Sequence, residues 1–124
     1  MDTLISCFDR PRFRVGFVIV CLLAALPVNG HAILKESLPA ANSVVSGPDV
    51  TIRLRFNSRI DAAHSSLSLL GGSHTEQIQI AREAPADMLL GHAKDLKTGE
   101  YRIQWQVLAV DGHITRGEVP FTVR

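Results

Sequence analysis

The sequence predicts an all-β fold, an antiparallel sandwich or barrel. Three observations carry this. Apolar and polar residues alternate in six or seven short runs, the period-two pattern of half-buried strands. Gly, Pro, Asn and Asp punctuate these runs about every ten residues, the turn spacing of sandwiches and barrels. No stretch keeps a helical period over three turns.

The elements follow in order. His31 to Leu38 opens the domain, with Ile33 and Leu34 apolar enough to enter a sheet or pack beneath one. Pro39-Ala40-Ala41-Asn42-Ser43 and Ser46-Gly47-Pro48-Asp49 are loops by composition, and Val44 and Val45 between them make a short extended touch on the core. Thr51 to Phe56 is a clear strand: Ile52, Leu54 and Phe56 point one way, Thr51, Arg53 and Arg55 the other. Asn57-Ser58 ends it, and Arg59 to Ser65 has room for a single turn of helix. Ser66 to Leu70 alternates before a Gly71-Gly72 turn, Gln77 to Ile80 alternates again, Pro85 interrupts, and Met88 to Leu90 is a short strand.

Tyr101 to Val123 is the stretch the rest serves. It reads as strand, polar turn and returning strand. Tyr101, Ile103, Trp105, Val107 and Ala109 share one face; Val119, Phe121 and Val123 share one in the return. Pro120 cannot donate a ladder hydrogen bond, which predicts an edge or a bulge there. The turn carries Asp111-Gly112-His113. Residues two apart in extended chain point the same way, so the acid and the imidazole can face one object together.

Residues 1–30 have the form of a secretory signal. Arg10, Arg12 and Arg14 precede an uncharged run of twelve residues from Val15 to Leu26, short of the ~20 that an ordinary membrane span needs. The rival reading is an uncleaved N-terminal anchor. Both cysteines, Cys7 and Cys21, fall inside this leader, leaving residues 31–124 without a disulfide or a thiolate site. Those 94 residues hold ten Lys/Arg and ten Asp/Glu. That size suits one small domain, and the balanced charge argues against a nucleic-acid partner.

Five histidines are candidate ligands: His31, His64, His74, His92 and His113. A lone surface histidine is more often solvated than functional, and that is the plain reading of His64, His74 and His92. His31 differs because cleavage after Gly30 makes it the first residue. It then offers the α-amine and ring Nδ1 together, and an amine with a pKa near 7.7–8.0 yields its proton readily to a competing divalent ion. With the imidazole of His113 and the carboxylate of Asp111 the set is three nitrogens and one oxygen, which suits Cu²⁺. Against this, Asp-Gly is an ordinary hairpin pair. A cut after Ala32 would also discard His31.

Taken together, these features resemble the CopC family of periplasmic copper-resistance proteins over nearly all of residues 31–124. The marks are His31-Ala32-Ile33-Leu34, Ser37-Leu38-Pro39-Ala40 and the strand ending at Phe56. Later marks are Gly99 through Trp105, Asp111-Gly112-His113, Gly117 and Phe121-Thr122-Val123. The resemblance implies a small cupredoxin-like or immunoglobulin-like Greek-key β-barrel, exported to the periplasm. It also implies a Cu(II) site of His31, Asp111 and His113, and a CopD-like membrane protein as partner.

Three departures stand out. Asn57-Ser58 lies where some members carry a glutamate, so that weak carboxylate ligand is missing. Met88 is the only methionine in residues 31–124, and one thioether makes no soft Cu⁺ site. Ile114 follows His113 where many members have proline.

The expected function is therefore capture and buffering or delivery of Cu(II), without catalysis. Two readings compete with it: a metal-free β-sandwich module of a membrane complex, and a copper-dependent oxidative enzyme resembling polysaccharide monooxygenases. The latter is opposed by the short domain and by the placement of Tyr101 and Trp105 on a core-facing side.

Overall fold

A computed structural model describes residues 31–124. The expected leader, residues 1–30, lies outside the described residues. Eight strands make up the domain: β1 (Leu34–Leu38), β2 (Ser43–Val45), β3 (Val50–Phe56), β4 (Ile60–Gly71), β5 (His74–Gln77), β6 (Met88–Ala93), β7 (Gly99–Ala109) and β8 (Ile114–Val123). They form a three-stranded sheet, β1-β3-β6, and a five-stranded sheet, β2-β8-β7-β4-β5. All pairings are antiparallel except β2 on β8. A β7 flanked by β4 and β8, facing a β1-β3-β6 sheet, is the immunoglobulin-like arrangement of the two expected.

Alternation decides what is buried. Ile52, Leu54 and Phe56 of β3 meet Leu67 and Leu69 of β4, Ile103, Trp105, Val107 and Ala109 of β7, and Val119, Phe121 and Val123 of β8 in one core. Phe56 and Trp105 pack edge to face with ring centroids 5.1 Å apart, a favoured aromatic geometry. Gly117 lies opposite Trp105 across the β7–β8 ladder. A Cβ there would sit 2.4 Å from the indole Cζ2, so a bare backbone is what lets the indole lie down. At the other end of β7 the Tyr101 hydroxyl accepts from the Lys97 N–H at 3.0 Å and donates to the Lys97 carbonyl at 2.7 Å. Its ring stacks on Phe121 at 5.7 Å. This is the tyrosine corner of immunoglobulin-like sandwiches.

Two local expectations are corrected. Arg59 to Ser65 makes no helical turn, because β4 runs through it with a large bulge. Asp61 pairs with Leu108 and Ser66 with Gln106, leaving Ala62, Ala63, His64 and Ser65 opposite Val107 alone. Asp61 holds the bulge: its Oδ1 accepts from the Ala63 N–H at 3.1 Å and its carbonyl from Ser65 Oγ at 2.6 Å. Gln77 to Ile80 is not a strand either. β5 ends at Gln77, and the chain then crosses between sheets, with the Ile78 N–H on the Leu67 carbonyl and the Ala81 N–H on the Leu90 carbonyl, each at 2.8 Å. Pro120 meets the first of its two expectations: β8 carries no bulge there, and its side away from β7 is an edge at that residue. The Pro120 carbonyl takes the Asn42 N–H at 2.6 Å, on the side away from β7. A strand residue's nitrogen and carbonyl share a side, so the missing N–H leaves the β7 ladder intact. β2 then covers β8 only from Phe121 to Val123.

Gly117→Ala is expected to destabilise the domain by about 1–3 kcal/mol through overpacking against a rigid ring. Urea unfolding followed by Trp105 fluorescence measures it; an unchanged midpoint would show that the indole has room to move.

Candidate metal centre

The end of the sandwich where β1 begins, β3 ends and β7 turns into β8 gathers the expected ligands. The turn is a three-residue hairpin loop, Val110-Asp111-Gly112. The Ala109 N–H donates to the His113 carbonyl at 2.8 Å and the Gly112 N–H to the Ala109 carbonyl at 2.9 Å. Gly112 has φ +92°, the positive value such a loop needs at its third position. Asp111 Oδ1 accepts the His113 N–H at 3.0 Å, an Asx-turn. Its Oδ2 lies 2.7 Å from His113 Nδ1. The acid and imidazole do meet, but through this turn and not as neighbours along an extended strand.

His31 reaches the pair from a segment far away in sequence. Ala32 is fully buried, and the backbone of Ile33 is held by Asn57: the Ile33 N–H donates to Asn57 Oδ1 at 2.8 Å and the Asn57 N–H to the Ile33 carbonyl at 2.9 Å. The His31 and His113 ring centroids are 4.6 Å apart, inclined at 62°. Two imidazoles from residues 82 positions apart in the chain thus share one small exposed patch.

Electrostatics favour an ionised acid here. The Asp111 carboxyl is held below its ordinary value, first by the His113 backbone N–H, then by the His113 side chain and the nearby charge of His31, against some opposing desolvation. Yet both of its oxygens are turned onto its own loop. Among the described residues, no three His, Cys, Asp or Glu side chains close on one point as a ready-made metal cluster. The donor set is instead two imidazoles with one carboxylate locked onto the second. Of the two ring nitrogens of His113, only Nδ1 has a partner among the described residues, Asp111, the carboxylate–histidine arrangement common behind metal ligands.

The remaining histidines are elsewhere. His64 sits on the β4 bulge, its Nδ1 2.8 Å from Asp61 Oδ2, and that bond is the first cause of a lowered Asp61 pKa. This second Asp–His pair has nearly the same geometry as the first, so such a pair alone says little about metal; the added ring of His31 sets the first apart. His92 lies on β6 near Thr51 Oγ1 at 3.4 Å, and His74 pairs with Gly71 at the opposite end of the five-stranded sheet. Sequence reasoning missed Asn57, which it treated only as an absent carboxylate. An amide directly after the last core residue of a strand was the available signal.

In the metal-free protein Asp111 should titrate below the ordinary carboxylate range. The stability it contributes is present above its unfolded pKa and is lost as pH falls through the lowered folded value. His113→Ala should undo only part of the shift, since the backbone N–H of residue 113, the main cause, survives. Carboxyl-carbon NMR titration checks this; full return to the ordinary value would show that the side chain, not the backbone N–H, sets the shift.

Comparison with known proteins agrees with this architecture. The CopC domain model matches residues 34–124. Copper resistance protein C of Escherichia coli is 30% identical over 129 residues, covering 96% of this chain and 99% of that protein. The crystal structure of CopC from Methylosinus trichosporium OB3b superposes with a TM-score of 0.68 at 30% identity, covering 75% of this chain and 93% of that one. PcoC, a methionine-rich copper resistance protein from Escherichia coli, gives a TM-score of 0.63 at 30% identity, covering 76% and 99%. A family model spanning most of the sequence, together with matching folds at this identity, places the chain in the CopC domain family.

Proposed function

We propose that this chain is an exported Cu(II)-binding protein of the periplasm that contributes to copper resistance. On this reading residues 1–30 are a cleaved signal, and residues 31–124 are the working domain. Cu(II) is held by the α-amine and ring of His31 and by His113, with Asp111 fixing the His113 tautomer or donating an oxygen directly. The protein buffers the ion or passes it to a CopD-like membrane protein.

The observation that carries this reading is the 4.6 Å approach of the His31 and His113 rings. Nothing in the core requires two exposed imidazoles from distant segments to meet. The donor chemistry supports Cu(II) over Cu(I): nitrogens and a carboxylate are borderline to hard donors, and Met88 is the sole thioether of the domain. PcoC, by contrast, is described as methionine rich. A binding role rather than polymer oxidation fits the aromatic residues. Trp105 is 6% exposed, and the Tyr101 hydroxyl is bonded to Lys97.

Mass spectrometry of the exported protein is expected to give His31 as the first residue. Competition titration should then show that His113→Ala weakens Cu(II) binding by at least about 100-fold, above the usual cost of losing an outer-shell partner. Circular dichroism should be unchanged. Parent-like affinity in that variant would refute the assignment.

A further inference from the structure

We infer that Asn57 is a positioning residue of the copper site: its side-chain carbonyl stands in for a missing strand partner and aims the His31 limb at His113. This rests on the copper reading above.

The last pair between β1 and β3 here is Leu34 with Phe56, just past a register shift at Lys35. One step further, Ile33 faces Asn57. In a hydrogen-bonded antiparallel pair two facing residues exchange both N–H···O bonds. Half of that exchange is present, because the Asn57 N–H donates to the Ile33 carbonyl at 2.9 Å. The other half is made by the Asn57 side chain, with Oδ1 taking the Ile33 N–H at 2.8 Å. The reason lies in the path of the chain. After Phe56 it leaves the three-stranded sheet and by Ile60 it has entered β4 of the other sheet. The side-chain amide thus extends the ladder by one rung past the point where the backbone departs.

That rung is where the site needs it. His31 lies two residues beyond Ile33, and a chelate closed by its amine and ring demands a fixed direction of approach. Ile33 cannot supply this by packing, since its side chain is 57% exposed. Ala32 is buried but has only a methyl group. The direction of the limb is therefore set by the small Ala32 plug and by the two Asn57 bonds. Binding groups held in place beforehand lose less entropy on ligation. An alanine at position 57 keeps the backbone bond and loses the side-chain one. An aspartate keeps an acceptor at the same place.

The test uses the exported protein with its N-terminus verified. In the metal-free parent the Ile33 amide should be protected from hydrogen exchange; exchange at a free-loop rate would overturn the proposal without any variant. Asn57→Ala should expose that amide, weaken Cu(II) binding about tenfold, as expected for one net hydrogen bond, and split the Cu(II) EPR signal into more than one species, while thermal unfolding stays cooperative. Asn57→Asp should restore both the protection and the single EPR species. Parent-like affinity and a single species in Asn57→Ala would overturn the proposal. His113→Ala run alongside separates the two levels. If it lowers affinity and Asn57→Ala does not, the clamp alone fails; if neither does, the copper reading fails with it.

Discussion

Strand β7 lies between β4 and β8 and turns Ile103, Trp105, Val107 and Ala109 into the core. The packing of that face, above all the indole of Trp105 lodged between Phe56 and the bare backbone of Gly117, constrains what surrounds it. Phe56 is the last residue of β3 and packs on the indole, and the chain leaves the first sheet just past it. Ala109 is the last buried residue of β7, so the hairpin loop begins at Val110. The two events fall at the same end of the sandwich. A rigid scaffold carrying chemistry on its terminal loops is the usual division of labour in such folds.

Much of this was legible in the residues. Strands β3 and β7 have strict alternation, and the side assigned to the core is the buried one. The Asp111-Gly112-His113 turn was also readable, because Asp-Gly favours few conformations. Less visible were features that depend on partners far away in sequence. The bulge in β4 contains Ala62-Ala63-His64-Ser65, residues with no strand preference; they are carried into the sheet by the pairing of Asp61 and Ser66 with β7. The parallel contact of β2 with β8 spans residues about as far apart as the domain allows, and three residues carry too little pattern to announce it.

The site shows the same division. Its turn half is local and could be seen in three consecutive residues. Its His31 half depends on a ladder extended by a side chain, which no spacing rule encodes. The Asp61–His64 pair is instructive beside it. Both pairs join Nδ1 to a carboxylate oxygen at 2.7–2.8 Å, and both leave the carboxyl pKa lowered. A search keyed to titration or to acid–imidazole contacts would not distinguish them. The meeting of chain segments does.

The complete burial of Ala32 has a practical side. The sandwich grips the polypeptide at Ala32, next to the proposed cleavage point. A stray initiator methionine or a purification-tag remnant would leave the buried Ala32 in place while turning the amine proposed to chelate copper into an amide. Structural integrity and chemical competence would part company at a single peptide bond.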